Sequence, residues 1–387
     1  MYINTKQIFI ILIFLFLPIS IFCFEPVLKT AVKIQANEID LDADSYSIPR
    51  VYDWNNDGKK DLIIGHRIAD KVRLYLNSGT DNMPVFTTFS NIQAGGVDIY
   101  IPGSACGAPA PEIADWNNDG KKDLLVGGSD GYTWLFLQSE TSNDSDPQLL
   151  AGVKIRVNGA EFTVGIRSVP CVNDWNEDGK KDLLIGAGGG NIYVLINTGT
   201  DANPQFDDYD YVYADLAPLS VGLRASPRII DWNGDGYKDI ISGEADGRIL
   251  FYENIGTNSN PDFDDAKIYL NAGGSQIDIG SRSRPVVVDW NDDGLPDILC
   301  GSSYGCVYYY EQEFIFEFEC ISCDPAEEIW LKWRSRLNDT YTVYYSTDMA
   351  QWDILDDSVQ SQGFETIWCD ITAPSQVRRL YQIKINE

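Results

Sequence analysis

The sequence predicts an all-β fold in which one short sheet is built five times. Three observations predict it. A thirteen-residue phrase, DWNNDGKKDLIIG at 53–65, returns in near-copy from Asp115, Asp174, Asp231 and Asp289. Each copy runs into an unbroken apolar stretch (Leu62–Ile64, Leu124–Val126, Leu183–Ile185), the mark of strands covered on both faces. Each is also bracketed by turn residues, a Pro a few positions before and a Gly-rich segment after.

The chain has 387 residues, 44% of them hydrophobic and 12% aromatic, a composition that supports large cores. Its formal charge of −29 excludes nucleic acid and anionic lipid as natural partners. Such an excess suits a protein that carries cations or stays soluble outside a cell.

In chain order, residues 1–23 read as a signal peptide. Lys6 precedes an uncharged run from Ile8 to Cys23, short for a transmembrane span and interrupted by Pro18. Cleavage after Cys23, a lipid on Cys23 and an uncleaved anchor are the alternatives, with no span expected in the mature chain. Residues 27–48 resemble the stretch 266–284 that precedes the fifth phrase. Outer hairpins are therefore expected near residues 30, 90, 152, 210 and 267, the first of them completing the last sheet and closing the ring.

The first Asp of each phrase stands at 53, 115, 174, 231 and 289, a period of 57 to 62 residues. A period of that size marks a propeller or another repeat array. We expect a five-bladed β-propeller over 27–312; six or seven blades with degenerate units, or an open array, are the competing arrangements. Units one, three and four continue with NSGTDNMPVF, NTGTDANPQF and NIGTNSNPDF, whereas the second has lost the pattern. Residues 313–387 leave the period and read as a small β-sandwich, with Trp330, Trp333, Trp352 and Trp368 expected mainly in its core.

Within each phrase, oxygen-bearing side chains stand at positions 1, 3, 5 and 9, with Gly at 6. The first copy offers Asp53, Asn55, Asp57 and Asp61, and the carbonyl of Lys59 at position 7. The others offer Asp115, Asn117, Asp119, Lys121 and Asp123; Asp174, Asn176, Asp178, Lys180 and Asp182; Asp231, Asn233, Asp235, Tyr237 and Asp239; Asp289, Asn291, Asp293, Leu295 and Asp297. Alternating oxygens around a Gly turn suit a hard, flexible-coordination cation such as Ca²⁺, about five ions in all. A bare turn is the alternative, but two carboxylates about 4 Å apart repel by about 4 kcal/mol at an effective dielectric near 20. Position 12 carries no Glu, so this is not an EF-hand.

The phrase resembles the FG-GAP/VCBS repeats of integrin-α propellers and of many secreted bacterial proteins. That resemblance implies a calcium-binding β-propeller with the loop between the first two strands of each blade, and it assigns the same ligand positions. Trp54, Trp116, Trp175, Trp232 and Trp290 depart from the smaller apolar residue often found at position 2; we expect them to pack between blades.

Three positions before each loop Asp stand Arg50, Glu112, Cys171, Arg228 and Val286. Arg167, Arg224 and Arg282 stand three residues before the repeat Pro; they would receive an anionic group or pair with neighbouring acids. Glu112 and Glu244 are the only candidates for a glycosidase pair and are expected as solvated surface carboxylates. The single histidine, His66, supports no triad. Cys300 and Cys306 flank a turn and could bridge it, and Cys369 could pair with Cys320 or Cys323. The acidic stretches at 207–215 and 262–266 are expected as exposed loops.

The resulting expectation is a monomeric module, secreted or on a bacterial surface, that recognises carbohydrate or an extracellular protein. No catalytic residues are assigned; a polysaccharide lyase or glycosidase on the same scaffold is the alternative.

Overall fold

The computed structural model describes residues 26–43, 45–68, 70–101, 108–143, 145–313, 318–322, 329–335, 339–346, 353–362, 365–370 and 380–385. The signal segment, Cys106, Cys323 and Trp352 lie outside these residues. Two compact units result: Pro26–Asp292 with Pro296–Glu313, and Asp293–Leu295 with the described part of Phe314–Glu387. No helix among the described residues is long and apolar enough to cross a membrane.

The first unit is a β-propeller arrangement of sheets, antiparallel in the five built on the repeat. Ser47–Tyr52, Asp61–His66, Lys71–Tyr75 and Ser90–Asn91 form one sheet. Ala110–Ala114, Asp123–Gly127, Thr133–Phe136 and Val153–Lys154 form the next, and Ser168–Asn173, Asp182–Ala187, Ile192–Leu195 and Asp210–Tyr211 the third. Ser226–Ile230, Asp239–Gly243, Ile249–Tyr252 and Ile268–Tyr269 form the fourth. In the fifth, Arg284–Val288, Asp297–Gly301 and Val307–Tyr310 take Val32–Lys33 from the chain start as their last strand. Val32 and Lys33 pair with Tyr309 and Tyr308, so the N-terminal segment does complete this sheet.

Five sheets were expected, and the count is corrected to six four-stranded sheets. The additional one joins Ser275–Gln276, Asn271–Ala272, Val27–Leu28 and Gln312–Glu313. Its hairpin, Asn271–Ala272 with Ser275–Gln276, is one of the expected outer hairpins, which stand alone at Gln35–Asp40, Gln93–Asp98, Arg156–Glu161 and Tyr213–Pro218; only here do the two-residue strands Val27–Leu28 and Gln312–Glu313 extend it, and periodicity does not announce them. It ties both ends of the unit together: Leu28 is parallel to Ala272 and antiparallel to Gln312.

The Gly that ends each phrase sets how the repeat-built sheets abut. A Cβ on Gly65 would fall 1.7 Å from the carbonyl oxygen of Pro109 in the next sheet. The same clash recurs from Gly127 to Ser168, Gly186 to Ala225, Gly243 to Ser283 and Gly301 to Ser47, at 2.1 to 2.5 Å. Only a residue without a side chain permits this backbone approach.

The tryptophans pack between sheets, as expected. Trp175 is 9% exposed and stacks on Phe263 of the following sheet, centroids 6.1 Å apart. Trp290 stacks on Phe86 at 6.2 Å, and Trp116 meets Phe206 at 6.1 Å. These phenylalanines end the NSGTDNMPVF-type continuations. In the second unit, which lacks that pattern, Leu149 takes the place against Trp54, and Leu28 from the chain start joins the cluster of Trp232.

Some expectations are corrected. Cys300 and Cys306 are both free thiols. Cys300 is fully buried with its Sγ 3.3 Å from the Arg284 N–H, within the core shared with Trp232, while Cys306 lies in the turn. Alkylation of the native protein should therefore label Cys306 well before Cys300, read by peptide mass; equal labelling would contradict this burial. The stretch 207–215 is not simply a loop, because it supplies Asp210–Tyr211 and Tyr213–Ala214 as strands. In 262–266, Phe263 is 1% exposed.

The second unit contains two three-stranded antiparallel sheets: Phe318–Ser322, Ile329–Arg334 and Glu365–Asp370, then Asp353–Gln360, Thr340–Ser346 and Leu380–Ile385. Leu331, Trp333, Tyr341, Val343, Val359 and Tyr381, drawn from both, form its core. Trp333 is fully buried, whereas Trp368 is half-buried and donates its indole N–H to Asp356 at 3.1 Å. The proposed Cys369 pairing falls on side chains outside the described residues.

Candidate functional site: the repeated loops and the arginine axis

Each phrase folds into the turn between the first and second strands, and one hydrogen-bond plan serves the copies. Position 9 is the anchor. Asp61 is fully buried and accepts the Trp54 N–H at 2.9 Å on one oxygen and the Asn77 N–H at 2.8 Å on the other. Asp123, Asp182, Asp239 and Asp297 do the same with Trp116 and Gln138, Trp175 and Asn197, Trp232 and Asn254, and Trp290 and Gln312. Burial pushes the Asp61, Asp123, Asp182 and Asp239 carboxyls up, Asp123 to about 6 and Asp239 to about 7.

Position 1 holds the turn. Asp53 accepts the Asp57 N–H at 3.0 Å and the Gly58 N–H at 2.8 Å, and Asp115 and Asp174 repeat this with Asp119, Gly120, Asp178 and Gly179. Asp231 receives Gly234 and Gly236 instead. Position 5 accepts the N–H of position 7: Lys59 to Asp57, Lys121 to Asp119, Lys180 to Asp178, Tyr237 to Asp235 and Leu295 to Asp293, at 2.8 to 3.1 Å. Asn55, Asn117, Asn176 and Asn233 accept the N–H of position 5. Gly58 takes φ +82 with open space around it, the left-handed conformation the turn demands.

The donor set is all oxygen, the chemistry of a hard cation. As the loops stand, the carboxylates turn onto their own N–H groups. Among the described residues no three His, Cys, Asp or Glu side chains gather closely enough to hold a metal ion.

A role the sequence did not disclose belongs to position 8. Lys122 Nζ donates to the Asp53 and Trp54 carbonyls of the preceding loop at 2.8 and 3.0 Å, and Lys238 Nζ reaches the Asp174 carbonyl. Lys60 pairs with Asp292 of the fifth loop. The signal was present: four of five copies carry Lys there, the fifth Pro296, although Lys181 pairs with Asp201 of its own repeat at 2.7 Å. A cleft of about 400 Å³ opens between the first two loops beside Tyr52, Asp53, Asp115 and Lys122.

At the axis, the first strands bring together what sequence held apart. Glu112 is 15% exposed and accepts from Arg50 Nε at 2.7 Å, with Arg228 Nη1 at 3.3 Å. Arg228 also donates to the carbonyls of Pro285 (3.2 Å) and Pro170 (3.3 Å), so all five first strands meet at one level. The expectation of a solvated Glu112 is corrected: arginines from two other sheets hold it inside. Glu244, 5% exposed, is likewise buried and tied to Arg248 Nε at 2.6 Å. Each candidate acid is engaged by its own arginine, which gives no support to a glycosidase pair.

Arg167, Arg224 and Arg282 occupy equivalent places where the first strands begin. All three take left-handed backbone, with φ of 55, 65 and 58. Arg282 lies over the Tyr46 ring at 4.3 Å.

Comparison with known proteins agrees with this geometry. The FG-GAP-like repeat family model matches residues 53–126 and 231–300. The third loop lies outside both stretches but shares their hydrogen bonds. Integrin alpha-4 of Xenopus laevis is 26% identical over 161 residues, covering 38% of this chain and 14% of that protein. The chain thus spans a small part of its relative's length.

Among solved structures, the Tc holotoxin pore of Photorhabdus luminescens aligns with TM-score 0.34 and 14% identity, over 73% of this chain and 12% of that one. BBS1N in complex with ARL6DN aligns with TM-score 0.36 and 10% identity, over 75% and 98%. The matched repeats, the turn they encode and the sheets they build give this chain FG-GAP-like repeats in a β-propeller arrangement.

Proposed function

We propose that the protein is a secreted or cell-surface recognition module whose loops bind calcium, about five ions, and which engages an extracellular protein or a carbohydrate. The observation that carries this reading is a single loop plan, Asp-x-Asn-x-Asp-Gly-x-x-Asp, built with the same anchoring hydrogen bonds in successive sheets. Asp, Asn, Asp and Asp at positions 1, 3, 5 and 9, with the carbonyl at 7, would hold the ion. Each carboxylate oxygen keeps a lone pair beyond the N–H it accepts. Calcium would neutralise the acids that otherwise repel within each loop, and so stiffen the turn between the two strands. Similarity to a stretch of an integrin α-subunit favours a protein partner and an extracellular setting. In the C-terminal unit, two sheets sharing one core support a small sandwich.

The test is thermal unfolding of the full chain in calcium and in chelator. Calcium at about a hundred times its Kd stabilises by about 2.7 kcal/mol per site, so the melt should rise clearly and fall back with chelator. Asp231→Ala should lower the number of ions bound by one, read by elemental analysis. Identical melts in calcium and chelator would remove the metal from the proposal. A glycan array and an extracellular-protein binding screen, each run with and without calcium, decide the partner class.

A further inference from the structure

Among the described residues, the axis carries more positive charge than Glu112 balances. At the inner level Arg50, Arg228 and Glu112 meet, the two arginines only 4% and 6% exposed. Arg284, 4% exposed, follows two residues earlier on its strand and donates to the Arg224 and Ser283 carbonyls. Burial, together with Arg224, Arg282 and Arg50, drives its guanidinium down to about 9. At the register position that Arg284 holds, opposite the closing Gly, the other first strands carry Ile48, Ala110, Val169 and Ser226, none of them charged.

The guanidinium groups also hold unused donors. Arg50 Nη2, Arg228 Nη2, Arg167 Nη2 and Arg282 Nη1 are buried without a hydrogen-bond partner among the described residues. Arg167 is itself 8% exposed. The outer arginines are fixed rather than loose. Their N–H groups are bound to the Ser129, Gly188 and Ala245 carbonyls at 3.0 to 3.2 Å, in a backbone conformation that disfavours side chains of this length. Buried cations short of counter-charge are costly, and unpartnered buried donors contributed by several sheets suit an oxyanion with acceptors on every side.

We propose that this arginine-lined axis binds a doubly charged tetrahedral oxyanion, sulfate or phosphate, either free or carried as an ester on a larger ligand. The inner and outer arginines supply its donors, and its two charges offset part of the excess that Arg50, Arg228, Arg284, Arg167, Arg224 and Arg282 hold over Glu112 among the described residues. The site lies at the start of the first strands and the loops at their end, so it stands independently of the calcium reading.

Isothermal titration of the full chain with sodium sulfate and sodium phosphate, against sodium chloride at equal ionic strength, tests it. One saturable site per chain is expected for sulfate and phosphate and none for chloride. Phosphate, but not sulfate, should weaken as pH falls below its second ionisation. Arg167→Asn with Arg282→Asn, chosen because Asn tolerates left-handed backbone, should weaken sulfate at least tenfold with the melt in chloride little changed. Should that variant fail to fold, Arg228→Lys gives the same reading, since it keeps the charge but loses the fork. Competition by dextran sulfate, absent with dextran and lost in the variant, assigns an ester-borne oxyanion; inorganic sulfate alone assigns the free ion. Heats and melts in sulfate and phosphate indistinguishable from those in chloride would overturn the proposal.

Discussion

Trp175→Ala is expected to lower the unfolding free energy by about 3–5 kcal/mol, the cost of truncating a buried aromatic where the cavity cannot collapse. Trp175 sits in the core that joins the third and fourth sheets, among Leu184, Ile240, Leu250 and Phe263. Collapse is obstructed because Gly186 already brings the adjoining backbones to their closest approach. The substitution leaves the Trp175 N–H, and so its bond to Asp182, in place. The loss therefore reports packing and not loop geometry. Trp54→Ala supplies the internal comparison, since Trp54 faces Leu149 and not a phenylalanine. It should cost less by about 0.5–1.5 kcal/mol, the aromatic-pair contribution beyond buried area. Urea unfolding gives both values through the midpoint at constant slope. Equal losses would mean that the Trp175–Phe263 stack adds nothing to burial.

That comparison also shows what can be read before any coordinates. The Trp at position 2 and the Phe ending NPDF lie far apart in sequence, yet both recur with the period, so a shared partner is inferable. The closing Gly, the buried Asp at position 9 and the Val32–Lys33 strand follow from the same logic: local chemistry repeated five times must do one job. The sixth sheet escaped because its hairpin recurs in every unit, while the strands that extend it, Val27–Leu28 and Gln312–Glu313, occur once. Glu112 escaped for a different reason. In a chain of net charge −29, a lone Glu is read as surface, and its compensating Arg50 lies 62 residues away on another sheet. Charge pairing across an axis depends on where non-repeating residues meet, and only the fold sets that. The same holds for Cys300, whose six-residue separation from Cys306 suggested a bridge although its side chain enters the core between sheets.

Glu112→Gln is expected to destabilise the protein by about 3–5 kcal/mol, because it removes the one carboxylate shared by two buried arginines and leaves both charges behind. The amide keeps the shape of the side chain, so volume does not enter. Its exposed counterpart is Glu161, paired with Lys154 at 2.8 Å but 47% exposed. Glu161→Gln should change stability by about 0–1 kcal/mol, as screened surface pairs do. The contrast separates burial from mere pairing. Coupling is the sharper measurement: Glu112→Gln combined with Arg228→Gln should cost less than the sum of the two single changes, since the second removes a cation stranded by the first. Urea serves here in preference to a guanidinium salt, which would add the very ion under study. Additive losses would mean that Glu112 and Arg228 act separately, with Arg228 held by the Pro170 and Pro285 carbonyls. A coupled loss that sulfate partly restores would place a second anion beside Glu112 on the same axis.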